Sequence, residues 1–273
     1  MSTTQGGWEL PISEGQLVRL TADMEEAHRE TLPVMHASAA DLTERIKAEE
    51  AVGEKPGRTD AGRRRFLLGA GGVGAAFLLA ACSSDKGSSS TPSALDSPGA
   101  AADSVTYTGD LKIVALAVAL ENQAVGAYKA TLAAAKAGKL GKVPPAVASF
   151  VTKAMAQHAD HAKAWNAVLT GAGKPAITNV PLSNQKQVTS ELSKATSVAA
   201  VAKLALQLED QAAQTYFFAT YNVKSAGGIA TAATIAPVEA MHAAILHFVL
   251  GQYPVPDAFL PVDKAASPSL LTV

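Results

Sequence analysis

Two short motifs, each with potential metal ligands three positions apart, constrain this chain more than any other feature of its sequence. The first pairs His158 with His161, and the second pairs Glu239 with His242. On an α-helix, residues at positions i and i+3 lie on one face, so both side chains of a pair can point at the same ion. Both motifs lie in apolar, helix-like surroundings. The sequence therefore predicts helices that bring carboxylates and imidazoles together in a shared interior.

An internal repeat adds two glutamates to these motifs. Residues 120–128 read LENQAVGAY and residues 208–216 read LEDQAAQTY, which match at Leu, Glu, Gln, Ala and Tyr in the same register. The repeat places Glu121 and Glu209 at equivalent positions, each ahead of one paired motif. An ionised carboxylate buried alone is unstable, so cores neutralise it, pair it or give it to a metal. We therefore expect a second half that copies the first with a pseudo-twofold relation around a polar centre.

The pattern of apolar residues, glycines and prolines predicts four long helices. The Asp110 side chain is expected to cap the first, Gly227 and Gly228 to separate the third from the fourth, and Pro237 to mark a kink or a helix start. A long connection containing a short helix after Ser183 joins the second helix to the third. The predicted spans are Asp110 to Gly138, Pro144 to Gly171, Ser197 to Lys224 and Ile229 to Leu250. This arrangement predicts an all-α four-helix bundle over residues 107–253, followed by an extended tail over residues 254–273.

Residues 1–60 form an N-terminal extension that we expect to be partly helical or disordered. Two short helical patterns, from Ser13 to Glu30 and from Ala37 to Glu50, are separated at Pro33. Glu25 and His28 also stand three residues apart. Because charged residues surround this pair, we assign it to a solvent-exposed face.

Residues 61–82 resemble a twin-arginine export signal fused to a bacterial lipoprotein lipobox. Arg63, Arg64 and Phe66 match the export motif, and an apolar, glycine-rich run leads to Leu-Ala-Ala before Cys82. The resemblance implies cleavage before Cys82, lipid attachment to its thiol and anchoring to the outer face of the cell membrane. Residues 83–106, rich in Ser, Gly and Pro, are expected to form a flexible linker. The extension ahead of the arginines is either a cytoplasmic segment removed on processing or the product of a start codon placed too early.

Composition excludes several kinds of site. The chain has one cysteine, which rules out internal disulfides, thiolate zinc sites and four-cysteine iron centres. From Cys82 onward there are 14 lysines, 12 carboxylates and no arginine, so this part has no basic surface for nucleic acid. Any metal must be held by nitrogen and oxygen, which suits iron or manganese, with zinc possible.

A lone glutamate followed by a Glu-x-x-His pair, twice over, resembles the ferritin and rubrerythrin family of di-iron carboxylate proteins. The resemblance covers roughly residues 110–251. It implies that Glu121 and Glu209 are terminal carboxylates, that Glu239 is a bridging carboxylate, and that His161 and His242 are terminal imidazoles. His158 departs from the pattern, because the family has a second bridging glutamate there. The loss of one bridge leaves both a single-metal and a two-metal centre open.

The sequence thus predicts an exported, membrane-tethered, ferritin-like protein that binds about one or two iron ions per chain. Oxidation of Fe(II) with oxygen or peroxide, as in a ferroxidase- or peroxidase-like oxidoreductase, and formation of a homodimer are further expectations for such a protein. The alternative is a non-catalytic cell-envelope scaffold or stress-protection protein with a degenerate metal site. Tyr128, Tyr216 and Trp165 each lie seven residues after a candidate ligand. Core packing is the ordinary explanation for these aromatic residues, and hydrogen bonding or electron transfer is the alternative.

Overall fold

The computed structural model describes residues 9–52 and 106–273. Within those ranges the chain forms six α-helices and one short 3-10 helix, with no β-structure beyond an isolated bridge between Leu182 and Leu271. The α-helices are α1 (Glu14–Val52), α2 (Asp110–Lys136), α3 (Pro145–Gly171), α4 (Gln185–Lys194), α5 (Val198–Thr220) and α6 (Ala226–Val249), and the 3-10 helix is Pro268–Leu270. The all-helical prediction is confirmed for this part of the chain. The predicted export motif and Cys82 lie outside the described residues.

Helix α2 begins at the predicted residue, but Asp110 does not cap it. Gly109 occupies the N-cap position and makes no side-chain cap. The Asp110 carboxylate instead accepts hydrogen bonds from the backbone N–H groups of Lys224 and Ser225, at 3.2 Å and 3.1 Å. Asp110 therefore ties the start of α2 to the connection between α5 and α6.

Helix α1 is a single helix that continues through Pro33, so the prediction of two short helices is wrong. Proline removes one backbone donor from the helix ladder and introduces a steric clash. Four large side chains on α1 are nevertheless fully buried along its length, and α1 packs against both α3 and α6. The four are Leu17, Met24, Met35 and Leu42. Their burial on both sides of the proline stabilises the continuous helix.

Gly227 and Gly228 do not separate two helices, because both lie in the first turn of α6. A Cβ atom on Gly227 would lie 2.6 Å from the backbone nitrogen of Leu42 and 2.6 Å from the backbone oxygen of Ser38, both on α1. The glycine thus permits a close crossing of α1 and α6. Ser225 caps the helix by accepting the N–H of Gly228 at 3.0 Å.

Helix α6 runs through Pro237, so the predicted helix start at that residue is wrong. By length and composition it is the one helix in the described ranges that could cross a membrane. Its burial among other helices and its fully buried Glu239 and His242 are typical of the central helix of a folded core.

The C-terminal segment folds back along the helices. The N–H of Ala266 donates to Thr215 Oγ1 on α5 at 2.7 Å, and the carbonyl of Leu270 accepts the N–H of Ser183 at 2.9 Å. Leu116 and Leu120 on α2 pack in one apolar cluster with Ala266 and Leu182. This segment covers the side of α2 and α5, while α1 covers the side of α3 and α6.

Candidate metal centre

The six candidate ligands converge in the middle of the helical core. Glu121 comes from α2, Glu209 from α5, one pair from α3 and one from α6, and every one of these side chains is at most 2% exposed. Buried apolar residues of α2 precede and follow Glu121 along the helix. Glu121 therefore lies on the buried face of α2, and its carboxylate points into the core. The two pairs are His158 with His161 and Glu239 with His242. The structure thus brings together all the residues that the motifs singled out.

The six residues form two overlapping groups of four. Within each group, the atoms that could bind a metal all lie within 4.8 Å of one another. Both groups contain His158 and Glu239. The first is completed by Glu121 and His161, and the second by Glu209 and His242. Each group therefore offers four buried nitrogen and oxygen ligands, a set that suits iron or manganese.

His158 lies between the two glutamates of the repeat. Its Nδ1 is 2.7 Å from Glu121 Oε2, and its Nε2 is 3.0 Å from Glu209 Oε1. The ring thus uses one nitrogen toward each ligand group. An imidazole at this position connects the two groups through its ring, whereas a carboxylate could connect them through one pair of oxygens.

Glu239 lies between His161 and His242. Its Oε1 is 2.8 Å from His161 Nδ1, and its Oε2 is 3.2 Å from His242 Nδ1. His242 Nδ1 is also 3.2 Å from Glu209 Oε2. Glu239 therefore has one oxygen directed at each group.

Two tyrosines hold the outer glutamates of the cluster, Glu121 and Glu209, by hydrogen bonds. Tyr128 on α2 donates a hydrogen bond to Glu209 on α5, and Tyr216 on α5 donates one to Glu121 on α2. Trp165 Nε1 donates to the Tyr216 hydroxyl at 3.1 Å. Burial, together with the facing glutamate, raises the pKa of each tyrosine well above its ordinary value, so both remain neutral donors. All three aromatic residues also pack in the apolar core, so core packing and hydrogen bonding are both confirmed for them.

Opposite charges perturb the acid–base behaviour of the cluster. Burial acts to raise the pKa of Glu121, but the charge of His161 and the hydrogen bond with His158 outweigh it and lower the pKa to about 2. Burial acts to lower the pKa of His161, but Glu121 and Glu239 raise it to about 9. Without metal, the cluster is thus held by pairing between carboxylates and imidazolium groups.

The pKa of Glu209 is lowered like that of Glu121, and the pKa values of His158 and His242 are raised like that of His161. The pKa of Glu209 lies well below its ordinary value, because the charges of His158 and His242 outweigh the effect of burial. Against burial, Glu239 and Glu209 raise the pKa of His158 well above its ordinary value, and Glu209 raises that of His242. Metal binding would have to displace protons from these rings.

Pairing within the cluster leaves three buried atoms unsatisfied. Both ring nitrogens of His161 and Oε1 of Glu239 have no hydrogen-bond partner in the described part of the chain. His161 Nδ1 and Glu239 Oε1 lie 2.8 Å apart, but not in hydrogen-bond geometry. Buried polar atoms normally have partners, and a cation between these two would supply one for each. The residues present therefore fit a metal ion.

Helix α1 reaches this centre from outside, so the assignment of Glu25 and His28 to a solvated face is wrong. His28 is only 2% exposed, and its ring meets that of His161 edge-on at 5.1 Å between centroids. Its Nε2 lies 3.4 Å from Asp160 Oδ2. Burial and the charge of His161 lower the pKa of His28, although Asp160 opposes them. The signal that could have found this face is the seven-residue spacing of the buried residues on α1.

Sequence reasoning also missed Gln157. This buried side chain donates to Glu25 Oε2 on α1 at 2.9 Å, and its Oε1 lies 2.7 Å from His242 Nε2. Gln157 directly precedes His158, but an isolated glutamine on an apolar helix has no local signature of such a role.

The family of the chain follows from comparison with known proteins. A family model described as a ferritin-like domain matches residues 109–252, just over half of the chain and the region that carries all six candidate ligands. Searches of curated proteins and of solved structures found no match for this chain. Because the family model matches more than half of the chain, the chain belongs to the ferritin-like domain family.

Proposed function

We propose that this protein binds iron, or a related metal, at the centre formed by the six buried residues. The observation that supports this most directly is the convergence of three carboxylates and three imidazoles, with three of their buried polar atoms left without a partner among the described residues. In this proposal α2, α3, α5 and α6 form the four-helix core of a ferritin-like bundle related to rubrerythrin, and α1 is an added fifth long helix.

Each residue has a distinct role in the proposed centre. Glu121 and Glu209 are terminal carboxylates, held by the two tyrosines, and His161 and His242 are terminal imidazoles. Glu239 directs one oxygen to each group and is therefore the ligand whose loss affects both. His158 completes the six and stands between the groups.

The centre is suited to redox chemistry with small reactants. Bound iron would supply electron transfer to oxygen or peroxide, as in a ferroxidase- or peroxidase-like reaction. The surrounding apolar helices keep bulk water away from the ligands, and the tyrosine hydroxyls keep the outer carboxylates oriented. A narrow cleft between α2 and α5, lined by Gln123 and Gln211, borders Glu121 and His158, and we propose it as the entry for small molecules.

We further propose that the protein is exported and tethered to the outer face of the cell membrane through a lipid on Cys82. The support is the motif at Arg63, Arg64 and Phe66 and the linker composition of residues 83–106. Helix α1 precedes Cys82, so cleavage there would break its covalent link to the bundle. Mass spectrometry of the membrane fraction should find a chain that begins at lipid-modified Cys82; a full-length chain alone would contradict tethering.

Metal analysis tests the proposed centre. Protein purified without chelator should contain about one or two metal ions per chain. Glu239→Ala should lower that number, since Glu239 belongs to both groups. Glu191→Ala, at an exposed position on α4, is the matched control and should retain the wild-type content.

A thermal-shift measurement separates this function from a scaffold with a degenerate site. A ligand that binds only the folded state raises its stability by mass action. Fe(II), Mn(II) or Zn(II) should therefore raise the melting temperature of metal-free protein and have a smaller effect on Glu239→Ala. Protein that takes up none of the three metals would overturn the proposal.

A further inference from the structure

A row of polar side chains leads from α1 to the metal centre. Glu25 on α1 accepts a hydrogen bond from Gln157 Nε2 on α3 at 2.9 Å. The other end of that amide, Gln157 Oε1, lies 2.7 Å from His242 Nε2. Gln157 is 1% exposed. The three side chains are in direct contact, and the middle one is shielded from solvent.

The chemistry of these groups sets the direction of both hydrogen bonds. An ionised carboxylate only accepts, so Gln157 must turn its NH₂ group toward Glu25 and its oxygen toward His242. Lys153 Nζ, at 3.2 Å, and Arg29, at 3.4 Å, pair with the Glu25 carboxylate and favour its ionised form. The amide oxygen facing His242 can only accept, so His242 Nε2 must carry a hydrogen.

This hydrogen bond decides which nitrogen of His242 is available to a metal. His242 Nδ1 faces Glu209 and Glu239, at 3.2 Å from each, and an imidazole coordinates through a nitrogen that carries no proton. Because Nε2 keeps its hydrogen for Gln157, the proton lost on metal binding comes from Nδ1. A partner on the other ring nitrogen is the usual means of setting the tautomer and orientation of a metal-bound histidine.

We infer that Glu25 is a positioning residue of the metal centre, which acts through Gln157 to hold His242 in the form that presents Nδ1 to the metal. The inference rests on the metal-binding function proposed above and concerns the chain that retains α1, before any cleavage at Cys82. It extends the centre to helix α1, a segment outside the region matched by the ferritin-like family model.

Helix α1 also has packing contacts that do not involve Glu25, so the role can be tested without removing the helix. Ser38 Oγ on α1 lies 2.8 Å from Thr231 Oγ1 on α6, with both groups buried. Leu17 and Leu42 are fully buried toward opposite ends of α1, and Gly227 admits the α1 backbone at close range. Replacement of one partly exposed carboxylate leaves these contacts in place.

The test compares Glu25→Gln with Glu26→Gln in the full chain. A glutamine side chain at position 25 can donate as well as accept, so the Gln157 amide is free to reverse and turn its NH₂ group toward His242. Glu26 is exposed on the same helix, and its substitution removes the same charge. Zn(II) affinity, measured by competition with a chelator, should fall about tenfold to a hundredfold in Glu25→Gln, as for other changes that disturb partners of metal ligands. Glu26→Gln should bind as tightly as the wild type.

The ring nitrogens give a readout that a purely structural role would not change. In Zn(II)-loaded wild-type protein, ¹⁵N chemical shifts should show His242 with zinc on Nδ1 and hydrogen on Nε2. The double variant Glu25→Gln with Gln157→Glu exchanges the amide and the carboxylate between the two positions. The amide on α1 then donates to the carboxylate on α3, which accepts from His242, so the direction is restored and the affinity should recover.

The outcomes separate the two proposals. Zinc on Nε2 of His242, or equal affinity in Glu25→Gln and Glu26→Gln, would overturn the role of Glu25 and leave the metal centre standing. A wild-type chain that binds no Zn(II) would overturn the metal centre and this inference with it.

Discussion

Tyr128 and Tyr216 exchange hydrogen bonds across the core, since each donates its hydroxyl to the glutamate that lies seven residues before the other. Tyr128 on α2 contacts Glu209 on α5, and Tyr216 on α5 contacts Glu121 on α2. The exchange is what the pseudo-twofold repeat of residues 120–128 and 208–216 requires when the two helices face each other. It orients both outer carboxylates before any metal binds.

The two tyrosines differ in one hydrogen bond, and we expect this difference to affect the stability of the protein. Tyr216 also accepts the Trp165 indole N–H at 3.1 Å, whereas no such donor to Tyr128 is found among the described residues. Tyr216→Phe therefore leaves a buried indole N–H without a partner, and Tyr128→Phe does not. Chemical denaturation of the metal-free proteins should show Tyr216→Phe to be less stable than Tyr128→Phe by about 1–3 kcal/mol. Equal losses would contradict the role of Trp165.

The convergence of the six candidate ligands could be predicted because its signals are local. Spacing of i, i+3 places each pair on one helical face, and the repeat identifies Glu121 and Glu209 without knowledge of the packing. The position of α1 could not be predicted in this way. The charged neighbours of His28 indicated a solvated face, but they lie on other sides of the helix, and only contact with α3 and α6 shows which side is buried.

The same limit applies to Pro33 and Gly227. Local rules favour a break at both, yet Pro33 lies inside α1 and Gly227 inside α6. Burial against neighbouring helices outweighs the loss of one backbone hydrogen bond at Pro33. Gly227 is required by the approach of the α1 backbone, a contact between residues far apart in the chain.

Gly227→Ala should loosen the crossing of α1 and α6. The added Cβ would lie 2.6 Å from two backbone atoms of α1, which cannot move aside as a flexible side chain can. We expect a loss of about 1–3 kcal/mol in the free energy of unfolding. Gly126→Ala is the matched control, because it lies in α2 with open space around it; it should gain about 0.5–1 kcal/mol. A Gly227→Ala protein as stable as the wild type would contradict the close crossing.

The stability of the metal-free protein should depend on pH in both directions. The pKa of Glu121 falls from 4.5 to about 2 on folding, so its contribution is present above pH 4.5 and is lost as the pH falls through 2. The pKa of His161 rises from 6.5 to about 9, so its contribution is present below pH 6.5 and is lost as the pH rises through 9. Melting temperatures should therefore be highest between pH 4.5 and 6.5.

Metal should reverse the alkaline part of this profile. His161 can coordinate a metal only after its imidazolium form has lost one proton. The affinity for metal therefore rises with pH over the range in which the metal-free protein loses stability. The increase in melting temperature on addition of Zn(II) should be larger at about pH 8 than at about pH 6. An increase that is independent of pH would contradict ligation by the histidines.

His158→Glu tests whether the imidazole between the two groups limits the number of metal ions. The ferritin and rubrerythrin pattern has a bridging glutamate here, and His158 contacts Glu121 and Glu209 through different nitrogens. A carboxylate would supply a second bridge, so a His158→Glu chain should bind about two Fe(II) ions where the wild type binds one.

The same substitution should destabilise the metal-free protein, because it places a fourth carboxylate beside Glu121, Glu209 and Glu239 and removes the imidazolium that pairs with them. Loss of one partner from a buried ion pair typically costs about 3–5 kcal/mol, and bound metal should recover much of it. His158→Gln is the control: it also lacks the imidazolium, but it cannot bridge as a carboxylate does, so it should lose stability without gaining an ion. A His158→Glu protein that binds no more Fe(II) than the wild type would show that position 158 does not set the number of ions.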